Sequence, residues 1–327
     1  MMTLHPIRHS PNRSRVSPFC ATFALLLLLT VNLLAAAPAP KKLRVVTSFL
    51  PAYCHAVNIG AGVAQVENLL SGAVTPHDFQ LAPKDIKRIE QADLLVVNGL
   101  QLEEWLMKIT KRRADPKRPQ IVACSDGLDD QLIVSNGHAH HHSDATSTHA
   151  HHSGADSHFN PHIWLDPSLA MRTVTNLTRA FIELDPSNTA SYKANSEAYL
   201  ARLRVLDTEL QQLLAPVRNR PFVTLHDAFP YFARRYQLGP IHVLEEVPEV
   251  SPSPRYLSEL LKKVRQQKVE VIFTEPGNTP RLARQLAQDL RIQLAEVETL
   301  ETGAVTATAY EDGLRRIAKG IRSKLAP

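Results

Sequence analysis

Between Gly137 and Trp164 the chain reads GHAHHHSDATSTHAHHSGADSHFNPHIW. Eight of the 21 residues from His138 to His158 are histidine: His138, His140, His141, His142, His149, His151, His152 and His158. A tract of this composition has too little apolar surface to form a core, and what neutral imidazoles offer in such number is a hold on borderline-soft transition metals. Its Ser, Gly, Ala and Asp content works against one rigid coordination shell, because ordering a loop costs roughly 1–2 kcal/mol per fixed residue. The tract therefore predicts a weaker accessory metal site; a solvated loop without a ligand is the bland alternative.

Four further residues stand apart from the tract. His77 lies in SGAVTPHDFQLAP, His162 in NPHIWLDP, His226 in VTLHDAFPYF and Glu298 in AEVETLETG. In parallel α/β sheets ligands bind beyond the carboxyl ends of the strands, and all four occupy such places. Three imidazoles and a carboxylate suit Zn(II), which takes nitrogen at about 2.0–2.1 Å and usually four ligands. Taken singly, each histidine also fits a hydrogen-bonded structural role, and Glu298 a cap on the following turn. Glu275, in FTEPGN, ends another strand and is placed either to support a ligand or to act as an alternative oxygen donor. His55 and His242 lack this positional support and read as structural or surface residues.

The elements that must position these residues are legible as two series. Short apolar, β-branched runs at residues 43–49, 65–70, 92–99 and 120–123 alternate with helical patterns and read as buried parallel strands. A second series follows at 221–226, 241–244, 269–275 and 292–298, with helices such as PRYLSELLKKVRQQ and PRLARQLAQDL between them. Between the series, residues 167–214 carry no strand signal and divide at LDPSN, where Pro186 breaks one helix and Ser187 or Asn188 can cap the next. The helix from Thr189 to Leu214 would be roughly 39 Å long. Two α/β domains are the economical reading.

The first 37 residues hold Arg8, Arg13 and Arg15, no acid, and then the run CATFALLLLLTVNLLAAA, the layout of a secretory signal peptide. Removing three of 37 basic residues leaves 34 against 32 acidic ones, a balance that excludes nucleic acid as an expected partner. Export would permit a disulfide between Cys54 and Cys124, with two buried free thiols as the equal alternative. No GxxxxGK[ST] loop occurs, so the chain has no visible means of using ATP.

The segments TPHDFQLAPKDIKRIEQADLLVVNG, NPHIWLDP, DPSNTASYKANSEAY, LHDAFPYFARRYQLGP and IFTEPGN closely resemble the zinc-specific periplasmic substrate-binding proteins of bacterial metal ABC importers. The resemblance covers about Leu43 to Arg322. It implies two lobes, each a mostly parallel four-stranded sheet flanked by helices, joined by a long rigid helix, with the metal in the cleft between them. The expected division is signal peptide 1–37, N-terminal lobe 38–186 containing the His-rich loop 138–158, linking helix 187–215 and C-terminal lobe 216–327. By motif the family's histidine ligands fall on His77, His162 and His226. Manganese-binding relatives carry glutamate where His226 stands, which favours Zn(II). The family's fourth position is an aspartate near Glu298 or water, so Glu298 departs in residue type. The role implied is a monomeric periplasmic receptor, not an enzyme, that delivers zinc to an inner-membrane permease with its own ATPase. The alternatives are an Mn(II) or Fe(II) receptor of the same fold, or a zinc-dependent hydrolase or hydratase, against which the absence of HExxH counts.

Overall fold

The computed structural model describes residues 41–77, 79–106, 119–135, 159–245 and 252–326. The expected signal segment 1–37 and the histidine tract 138–158 lie outside them. Each half of the chain builds one sheet from four parallel strands. In the first, β1 (Leu43–Thr47), β2 (Ala64–Asn68), β3 (Leu94–Val97) and β4 (Gln120–Ala123) assemble in the order β2-β1-β3-β4. In the second, β5 (Phe222–Thr224), β6 (Ile241–Val243), β7 (Val271–Thr274) and β8 (Gln293–Glu296) repeat that order as β6-β5-β7-β8. The central strands are buried throughout, LLVV in β3 and VIFT in β7, as expected where helices cover both faces of a parallel sheet.

Helices α1 (Leu50–Ile59), α2 (Pro83–Glu90), α5 (Pro230–Tyr236), α6 (Pro254–Gln266) and α7 (Arg281–Leu290) connect strands. Between the sheets lie α3 (Pro167–Leu184) and α4 (Thr189–Leu214), and α8 (Ala309–Leu325) closes the chain. Asp166 caps α3 by accepting from Ser168 N at 2.8 Å, with Pro167 in the first turn. The break before α4 works differently from the expected Ser187 or Asn188 cap. Pro186–Asn188 forms a 3₁₀ turn, and the Asp185 carboxylate accepts from Ser187 Oγ, Asn188 Nδ2 and Tyr192 Oη at 2.5, 2.7 and 2.7 Å. Asp185 thus gathers the polar groups that would otherwise cap the helix themselves.

Helix α4 presents Tyr192, Tyr199, Leu203, Leu206, Leu210 and Leu214 to the interior, a spacing of three, four and seven that keeps one face buried. It packs on α1, α3 and α8. One apolar core runs from the first sheet through α4 to Phe222, Val271 and Phe273 of the second. A smaller core, including Val223, Ile272, Leu260 and Leu286, lies between the second sheet and helices α6 and α7. Cys54 and Cys124 are both buried free thiols. Among the described residues no helix is long and apolar enough to cross a membrane.

Candidate metal centre

The strand order places a topological switch in each half, between β1 and β3 and between β5 and β7, and loops at those carboxyl ends carry the polar residues. In the first half the switch is locked by buried Glu103. Its Oε1 accepts from Ser48 Oγ and Asn98 N, both at 2.7 Å, and its Oε2 accepts from Gly99 N at 3.1 Å. Burial raises the Glu103 carboxyl above its usual range against the lowering effect of those bonds. Asn98 then donates from Nδ2 to Pro161 O at 2.9 Å, which fixes the chain just before His162.

His162 follows an isolated antiparallel bridge between Val134 and Phe159 and enters a short 3₁₀ turn, Ile163–Leu165. Its ring packs on Trp164 with centroids 4.9 Å apart, and its Nδ1 lies 3.0 Å from Asn160 Oδ1. His226 sits two residues beyond β5. Its Nε2 lies 3.2 Å from His162 Nε2, while its Nδ1 is paired with the Glu275 carboxylate at the end of β7. His77 lies on the loop after β2, which Trp105 steadies by donating from Nε1 to Pro76 O at 3.0 Å.

The carboxylate that meets these rings is Glu301. Its Oε1 lies 3.5 Å from His162 Nε2 and 3.8 Å from His226 Nε2, and its Oε2 lies 3.9 Å from His77 Nε2. The Glu301 side chain is only 4 % exposed, and Oε1 is buried without a hydrogen-bond partner. A buried acceptor left unsatisfied is costly unless a cation reaches it. Four donors at zinc bond lengths around one ion sit about 3.3 Å apart along the edges of the tetrahedron. The separations of 3.2, 3.5, 3.8 and 3.9 Å lie close to that value, and one donor atom each from His77, His162 and Glu301 falls within 4.8 Å of the others. The residues present fit a small, borderline-soft cation.

Electrostatics separate the two buried imidazoles. Burial, with the neighbouring His226, holds His162 well below the ordinary histidine range, so it stays neutral and able to donate an electron pair. Burial also depresses His226, but the Glu275 hydrogen bond and the charges of Glu275, Glu301 and Asp227 outweigh it and leave His226 raised.

Glu298 stands elsewhere. Unlike the other three expected ligands, it does not meet the imidazole rings: its two oxygens accept from Arg316 Nε and Nη2 at 2.6 and 3.1 Å, an ion pair with α8. Strand β8 stops at Glu296, two residues before the strand end read from the sequence. The chain then turns inward, with Thr299 O accepting from Trp164 Nε1 at 2.8 Å, and delivers the side chain three residues further on. The available signal is the glycine after it: Gly303, at φ +139°, lets the loop cross the His77 loop, where Gly303 N donates to Gly72 O at 2.7 Å. His55 and His242 are outside the centre, hydrogen-bonded to Tyr199 Oη at 3.0 Å and Gln267 Oε1 at 2.9 Å.

The family profile described as "Zinc-uptake complex component A periplasmic" matches residues 45–324. The chain belongs to this family. It is 31% identical over 268 residues to the zinc-binding protein AdcA of Streptococcus pyogenes serotype M3, covering 80% of this chain and 51% of AdcA, so it spans about half the length of that relative. It is 31% identical over 260 residues to the high-affinity zinc uptake system protein ZnuA of Bacillus subtilis, covering 80% of this family member and 79% of ZnuA. Among solved structures it resembles the binding protein FpvC of Pseudomonas aeruginosa in complex with Mn2+, with a TM-score of 0.75 and 25% identity over 87% of this chain and 99% of FpvC.

Proposed function

We propose that this family member is an extracytoplasmic receptor that captures one Zn(II) and delivers it to an ABC import permease driven by a separate ATPase. The observation that carries the reading is the buried, unpartnered Glu301 Oε1 facing the Nε2 atoms of His162 and His226. His77, His162, His226 and Glu301 would hold the ion, and Glu275 would support His226 from behind. The zinc-binding relatives support the cargo, and the nitrogen-rich donor set favours zinc over manganese, although FpvC, a neighbour in fold, holds Mn2+. Glu301 would, in this reading, fill the fourth place that a catalytic zinc site leaves to water, which favours a receptor over a hydrolase. In this reading residues 1–37 are removed on export, the halves on either side of α4 act as two lobes of a monomer, and the tract 138–158 gathers further zinc weakly.

A calorimetric titration tests it. One tight zinc equivalent is expected, lost when His77, His162 and His226 are all replaced by Ala, while deletion of 138–158 removes only weaker equivalents. Tight binding that survives the triple replacement would overturn the assignment.

A further inference from the structure

Asn160 precedes His162 by two residues and touches both sides of the centre. Its Nδ2 donates to Asp227 O at 2.6 Å, and a backbone carbonyl can only accept. Its Oδ1 accepts from His162 N at 3.0 Å, and a backbone N–H can only donate. Two one-way partners therefore fix which end of the amide is oxygen. That oxygen also faces His162 Nδ1 at 3.0 Å. Nδ1 must then carry the ring hydrogen, and the lone pair falls on Nε2, the atom 3.2 Å from His226 Nε2 and 3.5 Å from Glu301 Oε1.

We propose that Asn160 is a positioning residue that selects the metal-facing nitrogen of His162 in the ion-free protein, and that ties this ring to the main chain beside His226. The inference rests on the zinc reading for its purpose, but not for its geometry. The main chain around Asn160 has its own supports. Tyr231 Oη donates to Asn160 O at 2.8 Å and accepts from Ile133 N at 3.0 Å, and Pro161 O is held by Asn98. Removing the Asn160 side chain should thus free the His162 ring more than the backbone. His226 has a matching arrangement in Glu275, a carboxylate that accepts from Nδ1. The two rings are oriented from behind, one by an amide and one by a charge. A partner of this kind behind a metal-binding histidine is worth about 10–100-fold in metal affinity.

The test is ¹⁵N NMR of the zinc-free protein labelled at histidine, with His162 assigned by its loss in His162→Gln, combined with zinc competition against a chromophoric chelator. The wild type should show His162 with hydrogen on Nδ1. Asn160→Ala should give a mixture of tautomers and weaken zinc about 10–100-fold. Asn160→Asp keeps the acceptor for Nδ1 but loses the donor to Asp227 O, so it should restore the tautomer and only part of the affinity. Hydrogen on Nε2 in the wild type would overturn the proposal without any variant. So would wild-type tautomer and zinc affinity in Asn160→Ala. A wild type with the expected tautomer but no tight zinc would refute the zinc reading and leave the role of Asn160 standing.

Discussion

Glu298 and Glu301 are three residues apart, and their fates differ because of what each side chain meets. Glu298 reaches Arg316 at the surface of α8, whereas Glu301 is buried against imidazole nitrogens with one oxygen unpartnered. Replacing Glu301 with Ala should weaken zinc by more than the ~10–100-fold that a supporting residue costs, while Glu298→Ala should leave the competition titration within about twofold of the wild type. His226 sets the pH dependence. Its pKa is raised in the zinc-free protein, so zinc competes with a proton at higher pH than at an ordinary imidazole, and affinity should begin to fall as pH drops from above 6.5. In Glu275→Gln the raising partner is gone and burial dominates, so proton release on binding the first zinc equivalent at pH ~7 should shrink, as calorimetry in buffers of different ionisation enthalpy would read. His226 is legible from its place beyond the end of β5, whereas His162 follows an isolated bridge and is marked in the sequence by NPHIWLDP rather than by a strand. Glu301 is not legible, because the strand-end rule stops at the last apolar residue of the run and says nothing of a loop that turns back inward.

At the scale of elements, the loops carrying His77 and Glu301 are tied to each other. Gly72 (φ +80°) and Gly303 approach so closely that a Cβ on Gly72 would fall 2.1 Å from Gly303 O. Gly72→Ala should break the Gly303 N to Gly72 O bond, cost about 1–3 kcal/mol of stability in urea unfolding, and weaken zinc through displacement of two donors at once. Unchanged affinity in that variant would mean that the two loops are positioned independently. The central strands β1, β3, β5 and β7 can be read from the sequence because parallel strands buried on both faces are near-continuous apolar runs, and α4 because its apolar face recurs at helical spacing. The crossing at Gly72 and Gly303 has no such pattern, since it depends on two backbone segments more than 200 residues apart in the chain.

In the whole molecule, both sheets share one apolar core that passes through α4, and the donors converge from loops of both halves. His77 and His162 come from the first half, His226 and Glu301 from the second, with Asn160 bridging to Asp227. The metal would therefore join segments that the core already holds near each other, which is how a receptor can bind tightly with little reordering. The most direct measurement is a crystal structure of the chain loaded with one equivalent of zinc, with the ion located by anomalous scattering. A single strong peak about 2.0–2.2 Å from Nε2 of His77, His162 and His226 and from a Glu301 oxygen is the predicted result. A peak that contacts Glu298 in place of Glu301, or that lies away from these four side chains, would contradict the account.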